Sequence, residues 1–165
     1  RSDHPGAGAC FVDHLFSEDF LCQLEKLFKL LPVAARQKTC TSDRSYYCDS
    51  EGWVQHEFCH ALRVCKEDIS VDKPMAQMRF LNYAEVGGGL PAHVDLARTN
   101  AAGQRSTHTF LLYLSDCHEG GETVLLERMD TPEPNVMASV VPKRGRLLIY
   151  PHLCPHLAAQ TIEVP

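Results

Sequence analysis

His93 and Asp95 stand two positions apart in the stretch Leu90–Leu96, a spacing that suits metal chemistry. In an extended chain the side chains alternate between two faces, so an imidazole and a carboxylate two residues apart leave the same face. Both groups are metal ligands, and together they can take adjacent positions on one ion. A lone His-x-Asp recurs in unrelated sequences, so the pattern needs a third ligand from elsewhere in the chain.

Two histidines near the other end of the chain, His152 and His156, are candidates for that third ligand. They follow the segment Gly145–Tyr150, whose apolar residues Leu147, Leu148 and Ile149 are typical of a strand. Two histidines and one carboxylate that leave the remaining positions open form the facial triad of non-haem Fe(II) oxygenases. The residues therefore predict an iron site made of His93, Asp95 and one of the two later histidines.

A second metal-binding pattern, His56-Glu57-Phe58-Cys59-His60, lies in the first half of the chain. In zinc proteases two histidines one helical turn apart bind zinc and the glutamate acts as a general base. The longer form of that motif has a glycine where this chain has Arg63, and its third histidine is absent. We therefore interpret these histidines as solvated residues on a surface helix and reject the protease.

The composition is that of an ordinary globular protein, with 165 residues, 44% apolar and 22% charged. This length suits a single domain over residues 1–165 with a proper core. The net charge of −5 argues against a nucleic-acid partner. No apolar run approaches the roughly 20 residues that cross a bilayer, so we expect no membrane partner. The oligomeric state is not predicted.

The chain has eight cysteines, and none of them forms a Cys-x-x-Cys pair. A zinc knuckle and a dithiol redox motif are therefore not indicated. Several cysteines sit within apolar runs, where a thiol behaves as a small hydrophobe. We expect reduced thiols in an intracellular protein, cytoplasmic or nuclear. The first residue is Arg1 rather than Met, so a removed targeting sequence stays open.

Two helices are predicted in the first half of the chain. Residues 10–16 read as an extended lead-in, Ser17 as a helix N-cap, and Pro32 as the end of that helix. Its apolar stripe follows helical spacing, over Phe20, Leu21, Leu24, Leu27, Phe28 and Leu31. Residues 36–50 read as a loop and residues 51–65 as a second helix. This helical buttress spans about 10–72.

From Pro74 onward the pattern changes to short strands bounded by turn residues. Strands are predicted over residues 75–83, 107–114, 122–127, 138–141, 146–150 and 159–164. Thr109, Leu111 and Tyr113 should share one face of the second of these, because side chains alternate along a strand. Six or more strands after two helices predict a mainly β (α+β) fold, an antiparallel barrel or jelly roll over about 74–165 with the helices packed on one face.

The order of several modest motifs adds a family resemblance. The motifs are Arg79-Phe80-Leu81-Asn82-Tyr83, His93-x-Asp95, Leu112-Tyr113-Leu114-Ser115-Asp116, Glu119-Gly120-Gly121-Glu122-Thr123, Gly145–Tyr150 and His156. From about residue 76 to the end the chain resembles the 2-oxoglutarate- and Fe(II)-dependent dioxygenases, in particular their prolyl 4-hydroxylase-like branch. The resemblance implies a double-stranded β-helix that holds Fe(II) between His93, Asp95 and His156. His152 is then the rival ligand, or a residue beside the site or at its rim.

The resemblance also implies residues that bind 2-oxoglutarate. Tyr113 matches a tyrosine that reaches the far carboxylate of the cosubstrate, Tyr83 matches another tyrosine of that pocket, and Thr109 shares the strand face of Tyr113. The family has a basic anchor for this carboxylate nine or ten positions after the last metal ligand, and the ninth position after His156 is Pro165. The anchor is thus expected just past Pro165, unless Arg79 or Arg146 points inward and replaces it.

The activity that the resemblance implies is hydroxylation of a substrate C–H bond, with release of succinate and CO₂. Its cofactors are Fe(II), 2-oxoglutarate and O₂, with ascorbate as a further candidate. The first expectation for the substrate is a prolyl residue of a peptide or protein, and Arg98, Arg105 and Tyr47 are candidates for its rim. The alternatives are a dioxygenase that acts on a small molecule and a metal-binding jelly-roll module without turnover.

Overall fold

The computed structural model describes residues 4–35, 41–64 and 73–163. Two helices and nine strands follow one another in these ranges: β1 (Cys10–Val12), α1 (Glu18–Leu30), β2 (Asp43–Cys48), α2 (Trp53–Val64), β3 (Gln77–Asn82), β4 (Leu90–His93), β5 (His108–Leu112), β6 (Thr123–Leu126), β7 (Val136–Val140), β8 (Leu147–Pro151) and β9 (His156–Ala158). In the described part of the chain, neither helix is long and apolar enough to cross a membrane.

Helix α1 begins and ends where the sequence predicts. The Ser17 hydroxyl accepts a hydrogen bond from the Phe20 N–H at 3.2 Å, which satisfies one of the amides that a helix start leaves open. Glu18 and Asp19 occupy the first turn, where the helix dipole favours negative charge. The helix stops at Leu30, two residues before Pro32, so the predicted boundaries are confirmed.

The strands form three antiparallel sheets, with strand orders β1-β8-β5, β2-β3 and β4-β9-β6-β7. We name the first of these the β8 sheet and the last the β9 sheet. Strand β8 lies between β1 and β5, and β9 lies between β4 and β6. The prediction of a mainly β fold with antiparallel strands and two helices is confirmed.

The β8 sheet separates two apolar cores. Leu147 and Ile149 of β8 face the helices and pack in the helical core, with Phe20, Leu21, Leu24, Val54 and Phe58. Leu148 and Tyr150 leave the opposite face and pack in the barrel core, with Leu125, Val140 and Cys154. This alternation follows from the two-residue period of a strand. It turns one face of β8 toward the helices and the other toward the interior between the β8 and β9 sheets.

The structure corrects two local predictions. Residues 43–48, predicted as part of a loop, form β2 and pair with β3 at six positions, while residues 36–40 of that loop lie outside the described chain. Propensity missed β2 because Asp43, Arg44 and Ser45 are polar, although Ser45 is fully buried. The last strand in the described part of the chain is His156–Ala158, whereas residues 159–163 of the predicted strand 159–164 form no strand beyond the single bridge at Thr161. Pro155 suggested a turn there, but a proline directly before a strand removes no ladder hydrogen bond.

Candidate metal centre

Strands β4 and β9 bring two of the predicted ligands together. His93 and His156 are direct partners in the antiparallel β4–β9 pair, and their ring centroids lie 4.2 Å apart. Asp95 follows β4, and its two carboxylate oxygens lie 3.7 Å from His93 Nε2 and 3.7 Å from His156 Nε2. In the described part of the chain, these three residues form the one group whose ligand atoms all lie within 4.8 Å of one another.

Backbone carbonyls fix which ring nitrogen of each histidine faces the centre. His93 Nδ1 lies 2.8 Å from the Pro91 carbonyl, and His156 Nδ1 lies 3.0 Å from the Cys154 carbonyl. A carbonyl only accepts hydrogen bonds, so each Nδ1 carries the proton and donates it. With the proton on Nδ1, Nε2 is the ring nitrogen that can bind a metal ion. Metal-binding histidines are oriented in this way by their second nitrogen.

Asp95 is held from three directions. Its Oδ2 accepts a hydrogen bond from the Thr109 hydroxyl at 2.5 Å, and the Tyr150 hydroxyl lies 3.4 Å from the same oxygen. Its backbone N–H donates to the His152 carbonyl at 3.0 Å. These contacts hold Oδ2, so Oδ1 is the oxygen that faces His93.

This donor set fits a divalent metal ion. Two ligand atoms that each lie about 2.1 Å from one ion are at most about 4.2 Å apart. His93 Nε2 lies 3.7 Å from Asp95 Oδ1 and His156 Nε2 lies 3.7 Å from Asp95 Oδ2, so each histidine is within that reach of a carboxylate oxygen. Burial lowers the pKa of His156 below its usual value, which favours the neutral imidazole that binds metals. The side chains of His93, Asp95 and His156 are 32%, 20% and 6% exposed, so the group is open on one side.

His152 belongs to the surroundings of this group rather than to the group itself. Both of its ring nitrogens bond to hydroxyls, Nδ1 to Thr109 at 3.0 Å and Nε2 to Ser106 at 2.8 Å. Burial lowers its pKa, so the ring is neutral. Between the two histidines that the sequence left open, the structure joins His156 to His93 and Asp95.

Sequence reasoning missed two polar residues around the group. The Tyr150 hydroxyl lies 3.1 Å from His156 Nε2, inside the barrel core. The alternation along β8 could have placed Tyr150 there, because it shares a face with Leu148. Ser106 lies in a polar loop 46 positions from His152, and no local pattern links the two.

Of the two predicted tyrosines, Tyr113 packs on the barrel side. The Tyr113 hydroxyl donates to Thr123 Oγ1 at 2.7 Å, and burial raises the pKa of Tyr113 to about 12. Tyr83 lies close enough to contribute to that shift. Leu111 and Tyr113 pack against the barrel core, whereas Phe110 and Leu112 pack against the helical core. The predicted alternation of this strand is confirmed.

The two arginines considered as replacement anchors have other surroundings. Arg146 forms a two-bond ion pair with Asp13, Nε to Oδ1 at 2.8 Å and Nη2 to Oδ2 at 2.9 Å. Its third nitrogen donates to the Val141 carbonyl, and its guanidinium lies over the Phe11 ring. Arg79 is exposed on β3. Because Arg146 is already paired with the Asp13 carboxylate, Arg146 is a poor anchor for the far carboxylate of 2-oxoglutarate.

The three rim candidates divide between two places. Arg98 and Arg105 are exposed on a small hairpin whose base is the bridge between Thr99 and Arg105. Tyr47 instead packs against the helical core, and its hydroxyl accepts the Trp53 Nε1–H at 2.9 Å. Tyr47 therefore lies on the side of the β8 sheet that faces away from the three ligands.

The rejected zinc motif lies on α2, and both of its histidines, His56 and His60, are exposed. The groups of metal-binding side chains within residues 4–35, 41–64 and 73–163 do not include either of them. The interpretation as solvated helix residues agrees with this placement.

Several solved structures share this architecture at low sequence identity. A prolyl-4-hydroxylase from Pseudomonas putida matches with a TM-score of 0.61 and 16% identity, over 98% of this chain and 88% of that one. A Trichoplax adhaerens prolyl hydroxylase, in complex with a hypoxia inducible factor peptide fragment, matches with a TM-score of 0.62 and 15% identity over 94% and 78%. HygX from Streptomyces hygroscopicus, with nickel and 2-oxoglutarate bound, matches with 0.60 and 13% over 96% and 78%. These matches show a shared jelly-roll fold.

No curated protein matches the sequence significantly. The family model described as the 2OG-Fe(II) oxygenase superfamily matches residues 78–164, which is more than half of the chain. The matched region contains all three grouped ligands and the strands that position them. The chain therefore belongs to the 2OG-Fe(II) oxygenase superfamily.

Proposed function

We propose that this protein is a 2-oxoglutarate-dependent hydroxylase that acts on a prolyl residue of a peptide or protein. The observation that carries the proposal is the convergence of His93 Nε2, Asp95 and His156 Nε2 on one point that opens to solvent. Three ligands on one side leave positions for a bidentate keto acid and for O₂.

Each residue of the site has a defined task in this proposal. His93 and His156 each offer an Nε2 lone pair, because the Pro91 and Cys154 carbonyls hold the protons on Nδ1. Thr109 holds one oxygen of Asp95, which leaves the other to bind the metal. Fe(II), when bound with 2-oxoglutarate and O₂, supplies the oxidising chemistry that hydroxylates a C–H bond as the keto acid becomes succinate and CO₂.

Tyr113, Thr123 and Tyr83 are proposed to receive the far carboxylate of 2-oxoglutarate. Burial keeps the Tyr113 phenol protonated, with a pKa of about 12, so it is a hydrogen-bond donor at neutral pH. The phenol can turn from Thr123 Oγ1 to a carboxylate oxygen, and bonds to charged acceptors are the stronger kind.

Two exposed leucines that adjoin site residues in the chain are proposed to contact an apolar group of the substrate. Leu96, next to Asp95, is 77% exposed, and Leu153, next to His152, is 70% exposed. Such apolar contacts would favour a prolyl ring over a strongly charged group. Arg98 and Arg105 on the neighbouring hairpin are proposed to contact the peptide around it.

The proposal is tested by incubating the protein with Fe(II), 2-oxoglutarate, ascorbate and a library of proline-containing peptides. The expected result is succinate formation that depends on peptide, with a product peptide one oxygen atom heavier at proline. His156→Ala is the matched negative control, since it removes one ligand. Omitting ascorbate tests whether it sustains turnover.

The other outcomes separate the alternatives. If the protein binds metal and 2-oxoglutarate but its succinate formation is increased by a small molecule and not by any peptide, the substrate is that small molecule. Metal binding with no 2-oxoglutarate binding and no succinate would reduce the protein to a metal-binding module and refute the proposal.

A further inference from the structure

We propose that Ser106, His152 and Thr109 form a hydrogen-bond relay that positions Asp95 and ties the Arg98–Ser106 hairpin to it. The inference rests on the proposed function in one respect, which is that Asp95 binds the metal. The three are positioning residues, since they act on the metal through Asp95.

The proton positions in the relay follow from the nature of each group. An Asp95 carboxylate oxygen can only accept, so the Thr109 hydroxyl donates its single proton to Oδ2, at 2.5 Å. Thr109 Oγ1 must then accept in its contact with His152 Nδ1, at 3.0 Å. His152 therefore carries its proton on Nδ1. Every bond from Asp95 to His152 has one possible direction.

The same reasoning continues to the hairpin. With the proton on Nδ1, the His152 Nε2 of a neutral ring is an acceptor, so the Ser106 hydroxyl donates to it at 2.8 Å. Ser106 Oγ in turn accepts the Arg98 backbone N–H at 2.8 Å. The relay thus runs without a break from the base of the hairpin to the carboxylate. Ser106, His152 and Thr109 thus each have a hydrogen-bond partner on both sides.

Backbone bonds hold the middle of the relay in place. The His152 N–H donates to the Thr107 carbonyl at 2.9 Å, and the His152 carbonyl accepts the Asp95 N–H at 3.0 Å. The His152 ring is buried, so no solvent competes strongly for its nitrogens. Because its backbone is held on both sides and its Nε2 is bonded to Ser106, the His152 ring presents Nδ1 to Thr109 from a fixed position, and Thr109 in turn donates to Asp95.

The consequence is a specific pattern of metal affinities. Thr109→Val removes the hydroxyl at constant shape and should weaken Mn²⁺ binding by about 10- to 100-fold, the usual effect of losing a partner of a metal ligand. Ser106→Ala, two steps farther away, should weaken it by about threefold to tenfold. Thr109→Ser and Ser106→Thr keep the hydroxyls and should restore affinity to within about threefold.

A double-variant cycle separates a relay from general loosening of the hairpin. If Ser106 acts through Thr109, adding Ser106→Ala to Thr109→Val should cause no further loss of Mn²⁺ affinity. Asn100→Ala is the matched control, because Asn100 Oδ1 accepts two backbone N–H groups at the hairpin tip without touching the relay. It should leave Mn²⁺ affinity unchanged.

A second measurement needs no metal. Long-range ¹H–¹⁵N NMR of the metal-free protein should show His152 as the Nδ1–H tautomer, and Ser106→Ala should shift its Nε2 resonance. Thermal melting of each metal-free variant reports the fold separately from the ligand geometry.

The results divide cleanly. Wild-type protein that binds no Mn²⁺ would refute the proposed function and with it the role of Asp95. If the wild-type protein binds Mn²⁺, three results would overturn the relay and leave the proposed function intact. The first is that Ser106→Ala weakens Mn²⁺ binding equally in wild type and in Thr109→Val, and the second is that it weakens binding in neither. The third is that His152 carries its proton on Nε2.

Discussion

Replacing Tyr113 by Phe tests the proposed carboxylate end of the 2-oxoglutarate pocket. The change keeps the ring in the barrel core and removes only the hydroxyl, which now donates to Thr123 Oγ1 at 2.7 Å. A bond between two neutral groups contributes about 0.5–1.5 kcal/mol, and a bond to a carboxylate about 1.5–3 kcal/mol. Because binding exchanges the first bond for the second, the hydroxyl should contribute about 1–2 kcal/mol to cosubstrate affinity.

This difference corresponds to an affinity for 2-oxoglutarate about fivefold to thirtyfold weaker in Tyr113→Phe. The assay is an anaerobic titration of the Fe(II) protein with 2-oxoglutarate, followed by the weak visible absorption of the chelated keto acid. Mn²⁺ affinity, measured by calorimetry without 2-oxoglutarate, should stay unchanged, because Tyr113 bonds to Thr123 rather than to a metal ligand.

Tyr47→Phe is the matched control for that experiment. It also removes a hydrogen-bonded tyrosine hydroxyl, but one that accepts from Trp53 at the helical core. It should leave 2-oxoglutarate affinity unchanged. Equal affinity in Tyr113→Phe and wild type, or a parallel loss of Mn²⁺ binding, would show that Tyr113 does not receive the cosubstrate.

Three further results are expected. Asp95→Ala should abolish Mn²⁺ binding in calorimetry while the metal-free protein still melts cooperatively, and retained binding would contradict the proposed ligand set. The double change of His56 and His60 to Ala should leave Mn²⁺ affinity and turnover at wild-type values, because both side chains are exposed on α2; loss of the metal would restore the zinc-protease reading. The Arg146 guanidinium lowers the pKa of Asp13, so the stability from this pair is present above the unfolded pKa of about 3.9 and is lost as pH falls through the lower folded value. Urea unfolding should therefore show Asp13→Asn less stable than wild type at pH 7, with a smaller deficit at pH 3. An equal deficit at both pH values would refute the role of the ion pair.

The parts of the fold that were predicted from the sequence are those with local signals. Ser17 caps α1 through its own side chain, and the Thr109–Tyr113 alternation decides which residues face the barrel. Strand β2 was missed because it is polar and is stabilised by pairing with β3, a contact that composition does not reveal. The predicted position of the last strand is a few residues too late, because β9 is defined by its hydrogen bonds to β6 and not by its apolar content.

The candidate site divides in the same way. The His93-x-Asp95 spacing marks two ligands that are close in the chain, whereas the choice of His156 over His152 depends on the register of β4 with β9. The task of Thr109 also changes: its hydroxyl bonds to Asp95 and His152, although the strand face alone placed it with the cosubstrate residues. Such pairings depend on tertiary structure, which local sequence patterns do not contain.

The central positions of β8 and β9 have a consequence for how the protein is made. On the ribosome, β1 and β5 have no partner in their sheet until β8 is synthesised, and β4 has none until β9 follows. Cys10 of β1, for example, pairs with Ile149 of β8, which is synthesised much later. Pairings so distant in sequence close slowly and leave strand edges exposed in the nascent chain. Because His156 lies on β9, the three ligands can come together only after β9 has been translated, so a metal ion that needs all three cannot assist the folding of the strands before it.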